Sequence, residues 1–259
     1  MIQSTSNEKI KQVRQLLSSA KARREQGLFV IEGEKLFCEA PSSAIEAVYI
    51  TEDFQGKASP EAREKLSLFG RFDTVSDHVF QKITDTVTPQ GIVCVLKSGS
   101  APFEEALKKT AENHCRFLIL EGIQDPGNLG TMLRTAEAAG YQWVIADGKT
   151  ADLYNPKVIR STMGAIFRVG FSSVGSLSAA VERLKERGVC LYAAHLKGKE
   201  NYDAIRYADK TALLIGNESR GLSDEISSFA DVLVKIPMQG KTESLNAAVA
   251  AAILMYQSR

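Results

Sequence analysis

A chain of 259 residues, 44% hydrophobic and 24% charged, has the balance of a globular protein with material for more than one core, which argues against a disordered or fibrous chain. No apolar run reaches the ~18 residues that a bilayer crossing needs, and residues 1–5 lead into polar sequence rather than a signal-peptide stretch, so the expected location is the cytoplasm without membrane association. The net charge of +1 excludes little, because a small total can hide a polarised distribution.

Residues 7–26 place Ile10, Val13, Leu16, Leu17 and Ala20 at helical spacing, which predicts one amphipathic helix stopped by Gly27. Its other side is basic: Lys9, Lys11, Arg14, Lys21, Arg23 and Arg24. Such a face is ordinarily solvated, and it becomes a phosphate-binding candidate only if the rest of the chain points to nucleic acid. A strand "LFVIEG", a helix reaching Ala40, a strand "AIEAVYI", a helix over 62–68, "FDTVS", a helix over 77–83 and "GIVCVL" follow. Short elements of both kinds predict a small α/β domain over 1–97.

Residues 97–102 are rich in Gly, Ser and Pro and lack apolar periodicity, which sets a linker at 98–112 and a second domain at 113–259. Its strands are "FLILEG", "WVIAD", "RVGFSSV", "VCLYAAH", "TALLIGN" and "VLVKIP". Helices are expected over 128–139, 156–167, 177–187, 222–229 and from Ser244 onward. Near-continuous apolar strands alternating with helices predict a mostly parallel sheet covered on both faces. Ligands of such sheets sit beyond the carboxyl ends of the strands, so the loops after Leu120, Ile215 and Ile236 are the places to search.

In the first loop Asp125-Pro126-Gly127 forms a turn, Asn128 is placed to cap a helix, and Arg134 follows six residues later. In the second, Asn217 and Glu218 lie at the mouth of a buried strand, where polar groups need capping amides or a ligand as partners. In the third, Gly240 permits a tight turn before Ser244-Leu245-Asn246, and either Ser244 or Asn246 begins an Ala-rich helix slim enough to pack closely. Cys38, Cys94, Cys115 and Cys190 form no C-x-x-C pair, and His78, His114 and His195 have no ligand partner at i+4, so no metal site is expected.

Together, Asn128-x-Gly130-x-x-x-Arg134, Gly216-Asn217-Glu218 with Gly221, and Ile236-Pro237-Met238 with Gly240 and Glu243-Ser244-Leu245-Asn246 resemble the three motifs of the SpoU, or TrmH, branch of the SPOUT methyltransferases. The resemblance spans about 117–256. It implies a deep trefoil knot, a homodimer through the C-terminal domain, and S-adenosylmethionine held by Leu196, Gly216, Asn217, Ile236, Met238 and Leu245. It also implies methyl transfer to a ribose 2′-hydroxyl of structured RNA. Arg134 would take the hydroxyl proton or clamp a neighbouring phosphate, while Asn128, Glu218, Ser244 and Asn246 orient the reactants. The N-terminal domain is similar to the L30e-like RNA-binding domain of the family's ribosomal RNA enzymes, which places ribosomal RNA ahead of transfer RNA as the substrate.

Two other readings compete. Gly127-x-x-Gly130 opens a helix after a strand with Asp147 downstream, as in a dinucleotide-binding oxidoreductase, but the fingerprint needs glycine where this chain has Asp125. A non-catalytic RNA-binding protein would account for the basic N-terminal region and leave the three loops unexplained.

Overall fold

The computed structural model describes Met1 to Arg259 and contains two compact units, Met1–Gly99 with Asp152–Phe167, and Ser100–Ala151 with Arg168–Arg259. No helix is long and apolar enough to cross a membrane.

In the first unit, strands β1 (Leu28–Glu32), β2 (Ile45–Ile50), β3 (Asp73–Thr74) and β4 (Ile92–Lys97) form a sheet in the order β1-β4-β2-β3. β4 runs antiparallel to β1 and β2, and β3 lies parallel to β2. Strand side chains alternate between faces, and here both faces are buried. Phe29, Ile31, Ile50, Ile92, Cys94 and Leu96 join one cluster with Phe37 and Leu66. Val30, Tyr49, Val93 and Val95 join another with Ile10, Val13 and Leu16.

The single helix expected over 7–26 is two helices, Glu8–Ser18 and Ala20–Gln26. Ser19 adopts an extended backbone and its side chain accepts a hydrogen bond from Ala22 N, so a serine that can cap interrupts an otherwise continuous apolar stripe. Gly27 ends the second helix with φ 64°, in the left-handed region open to glycine.

The second sheet is wholly parallel. Strands β5 (Cys115–Leu120), β6 (Trp143–Asp147), β7 (Gly170–Val174), β8 (Cys190–Ala194), β9 (Glu200–Asn201), β10 (Lys210–Ile215) and β11 (Val232–Lys235) take the order β7-β6-β5-β10-β8-β11-β9. One face buries Phe117, Ile119, Ile145, Leu191 and Leu214 against Val181 and Leu184. On the other face lie the helices Pro126–Ala138 and Ala247–Gln257, which pack on each other. The expected α/β sheet with helices on both faces is present.

Two expectations need correction. The proposed linker contains the helix Phe103–Lys109, whose Ala106 and Leu107 are buried in the second unit's core. The expected continuous domain 113–259 is interrupted, because Asp152–Phe167 belongs to the first unit. Within that unit Ile159 is 1% exposed in the cluster containing Phe29, the Tyr154 ring lies 4.5 Å from the Phe29 ring, and Asp152 pairs with Arg23 at 2.8 Å. Apolar spacing identifies a helix that must bury one face, but does not say which of two sheets covers it.

Candidate active site

The sheet order reverses where β5 meets β10: the chain proceeds outward through β6 and β7 on one side, and β8 and β11 lie on the other. Such a switch point opens a crevice beyond the carboxyl ends of the strands. Ile215 and Leu120 are register partners there, which brings the loops that leave them side by side.

The turn after β5 is held from both neighbouring strands. Asp147, at the end of β6, accepts hydrogen bonds from Gly122 N at 2.9 Å and from Thr150 N and Oγ1 at 3.0 and 2.7 Å. From the β10 side, Asn217 Nδ2 donates to Gly122 O at 2.7 Å, while Asn217 Oδ1 accepts from Ser219 N and Arg220 N. Asn217 and Gly221 also exchange two backbone hydrogen bonds, at 3.0 and 2.8 Å. The loop closes so tightly that a Cβ on Gly216 would fall 2.1 Å from the backbone of Gly221 and Leu222. Only glycine fits there.

Glu218 joins the first two loops. Its carboxylate accepts from Gln124 N at 3.2 Å, Asp125 N at 3.1 Å and Asn128 Nδ2 at 3.0 Å. Desolvation pushes its pKa up, but the hydrogen bonds from Asn128 and from the backbone amides outweigh it, and the net shift is downward. These bonds favour the ionised carboxylate, which ties the first two loops to each other.

The third loop is tied to the first by Asn246, whose Nδ2 donates to Asn128 Oδ1 at 3.0 Å. Asn246 Oδ1 also caps the final helix by accepting from Ala248 N and Val249 N. Of the two candidates for starting that helix, Asn246 is the cap, and the helix begins at Ala247. Asn128 is not the cap of its own helix: Asp125 occupies that place and accepts from Asn128 N at 2.9 Å. This leaves the Asn128 side chain free to bridge Glu218 and Asn246.

Arg134 is exposed on the same helix and makes no ion pair or side-chain hydrogen bond within the chain. Ser244 is exposed, and the structure gives it no hydrogen-bonded partner. Ile236, Met238 and Leu245 are half-buried, and Leu196, two residues past β8, is 69% exposed. The backbone over 236–245 makes almost no hydrogen bonds within the chain. Half-buried apolar side chains beside unpaired amides and carbonyls suit a ligand with an aromatic face and a hydrogen-bonding edge, such as the adenosine of S-adenosylmethionine.

The six basic candidates of the N-terminal helices separate. Lys9, Lys11 and Lys21 are exposed and pair with Asp73, Glu8 and Glu25; Arg14 and Arg24 are exposed without an ion pair. Arg23 is a correction: it is 4% exposed, donates to Leu16 O at 2.5 Å and pairs with Asp152, so it is a structural residue unavailable to a phosphate.

Sequence reasoning missed the supporting residues Asp147 and Thr150, as well as Glu121, which accepts from Ser223 N and Oγ at 2.8 and 2.7 Å. An acid followed three residues later by threonine, just after a strand, is the signature of a side-chain-capped turn. That signal is enough to find the turn behind Asp147 but not the neighbouring loop that the turn supports.

Residues 116–256 match the SpoU rRNA Methylase family, and residues 7–94 match an MRM3-like substrate binding domain. A Bacillus subtilis relative named 23S rRNA (guanosine(2553)-2′-O)-methyltransferase RlmP is 34% identical over 258 residues, which is 100% of this chain and 98% of that protein. The crystal structure of an AdoMet-bound rRNA methyltransferase from Sinorhizobium meliloti superposes with a TM-score of 0.86 at 29% identity, covering 99% of this chain and 95% of that one. A structure described for 2-OH methylation of C/U34 on tRNA covers 57% of this chain and 95% of its own, with a TM-score of 0.52 at 31% identity. With the three motif loops joined at the switch point and the match running the length of the second unit, this chain belongs to the SpoU rRNA methylase family.

Proposed function

We propose that this protein transfers a methyl group from S-adenosylmethionine to a ribose 2′-hydroxyl of ribosomal RNA. The observation that carries the reading is the hydrogen-bonded chain Gly122–Asn217 and Glu218–Asn128–Asn246. It joins all three loops and fixes the helix on which Arg134 stands exposed. The full-length relative named as a 23S rRNA 2′-O-methyltransferase and the AdoMet-bound neighbour support substrate and cofactor. Ribosomal RNA is favoured over transfer RNA because the tRNA-modifying structure covers little more than the catalytic half, whereas the rRNA enzymes match along the whole chain.

S-adenosylmethionine would supply an electrophilic sulfonium methyl: the carbon–sulfur bond would break with its electron pair going to sulfur, the ribose oxygen would gain the carbon, and the hydroxyl proton would pass to water. The half-buried side chains of Ile236, Met238 and Leu245 would hold the cofactor's apolar surface, and the backbone of 236–245, Gly216 and Leu196 would offer hydrogen bonds to its polar edge. Asn128, Glu218 and Asn246 keep the loops in register, and Ser244 faces the reactants as a hydrogen-bonding group. Arg134 acts on the ribose side. Guanidinium groups ordinarily donate protons in hydrogen bonds rather than accept them. A bidentate clamp on the phosphate beside the target ribose therefore suits Arg134 better than the role of base. That Arg134 has no partner in its own chain fits a site completed by RNA and by a second subunit of a homodimer. A trefoil knot in the catalytic unit belongs to the same reading.

The test is transfer of labelled methyl to ribosomal RNA from a strain lacking the gene, followed by mapping of 2′-O-methyl positions. One restored ribose position is expected. Label on a base, label on transfer RNA alone, or no binding of S-adenosylmethionine by calorimetry would refute the proposal, and the last result would favour a non-catalytic RNA-binding protein.

A further inference from the structure

On the first unit an open cleft of about 520 Å3 lies between the helix Glu8–Ser18 and the turn 82–85, lined by Lys11, Arg14, Ser18, Lys82, Thr84 and Asp85. Its size suits a nucleotide segment rather than a single ion. Three of these side chains are cationic and one is anionic, and the anion is already neutralised: Asp85 Oδ2 accepts from Arg160 Nη1 at 2.7 Å. Arg14 and Lys82 are exposed and have no carboxylate partner, while Lys11 has only the exposed Glu8 at 2.7 Å. Exposed pairs of that kind contribute little and exchange readily for another anion.

The walls are firm. Lys11 and Arg14 lie three residues apart, about 4.5 Å along the axis, on a helix anchored by fully buried Ile10, Val13 and Leu16. Opposite, Glu32 at the end of β1 holds the turn by accepting from Thr84 Oγ1 at 2.6 Å, from Asp85 N at 3.0 Å and from Thr86 Oγ1. A cleft with uncompensated positive charge on two rigid walls has the chemistry to follow a phosphate backbone.

We infer that this cleft holds consecutive phosphates of the RNA substrate, with Lys82 facing Lys11 and Arg14 across it and Glu32 setting the position of the turn that carries Lys82. The inference rests on the RNA reading above and goes beyond it, since Lys82 lies far in sequence from the basic helices.

The test compares two double variants of the full chain, Arg14→Gln with Lys82→Gln in the cleft, and Lys57→Gln with Lys97→Gln outside it, the latter being exposed lysines of the same unit. Each removes two charges. Binding of a short labelled RNA hairpin is followed as a function of salt. Loss of two phosphate contacts should flatten the slope of log K against log salt by about 1.4–1.8 in the cleft variant. The outside variant should match wild type, a cleft pair Arg14→Lys with Lys82→Arg should retain the slope, and S-adenosylmethionine affinity should be unchanged throughout. Equal flattening in both Gln pairs would assign the effect to diffuse charge and overturn the cleft. Unchanged slopes in both, with wild type still binding and methylating RNA, would overturn the cleft while leaving the RNA reading intact. Failure of wild type to bind RNA would remove the reading and the cleft together.

Discussion

Removing the Glu218 carboxylate isolates the contribution of one side chain to the geometry of the site. Besides a long hydrogen bond of 3.5 Å from Asn217 Nδ2, it accepts three of 3.2 Å or shorter, two of them from the backbone amides of Gln124 and Asp125 in the turn that begins the Arg134 helix. A net value near 1 kcal/mol for each of the three shorter bonds sets an upper limit of about 3 kcal/mol. Gln124, Asp125 and Glu218 are exposed, so water replaces part of what is lost, and Glu218→Ala should destabilise the second unit by about 1–2 kcal/mol. Glu218→Gln keeps one accepting oxygen but places an NH2 where the second oxygen stood, and should fall between Ala and wild type. The pH dependence has a definite sign. Because the folded-state pKa lies below the ordinary 4.5, the stabilisation is complete above that value and is lost as pH falls through the lowered one. The difference between wild type and Glu218→Gln should therefore be constant above about pH 5.5, roughly one unit above the unfolded pKa, and shrink on acidification. Denaturant unfolding across pH measures this, and hydrogen exchange localises it to the amides of Gln124 and Asp125. Unchanged protection of those amides in Glu218→Ala, or a gap that widens toward low pH, would refute the reasoning.

Arg134→Lys keeps the charge but loses the planar fork; methylation should fall at least ~100-fold. Because the Arg134 side chain makes no ion pair or hydrogen bond within the chain, melting and cofactor affinity should stay near wild type, and near-normal turnover in Arg134→Lys and Arg134→Ala would remove the residue from the mechanism. Gly216→Ala brings a Cβ to 2.1 Å from the Gly221 and Leu222 backbone, so the loop must shift; a cost of about 1–3 kcal/mol and at least tenfold weaker S-adenosylmethionine binding by calorimetry are expected, and unchanged binding would count against this pocket. Arg23→Ala strands Asp152 and the Leu16 carbonyl and should cost about 3 kcal/mol, the low end for breaking a buried pair, measured by denaturant unfolding. RNA affinity in that variant, measured at a temperature where it is folded, should change no more than stability explains, since Arg23 offers nothing to a phosphate.

Much of this architecture was legible in the chain itself. Near-continuous apolar strands such as "FLIL" and "ALLI" dictate a parallel sheet buried on both faces, because nothing on either side of such a strand tolerates water. The spacing of Asn128, Arg134, Asn217, Glu218 and Asn246 placed the polar residues at strand ends, where a buried sheet can present chemistry. What local pattern leaves open is which partner a group finds. Asn128 looked like a helix cap, yet Asp125 took that role three residues earlier and released it to join Glu218 and Asn246. Arg23 read as one of six equivalent cations, yet it is turned inward against Asp152, more than a hundred residues away. Helix 156–162 read as part of the second domain, yet its apolar face is covered by the first. Hydrophobic period and capping chemistry act over a few residues and are written locally. The partner of a bridging asparagine, a buried guanidinium or an amphipathic face is chosen by the folded chain, where burial makes an unpaired polar group or an uncovered apolar face too costly to keep.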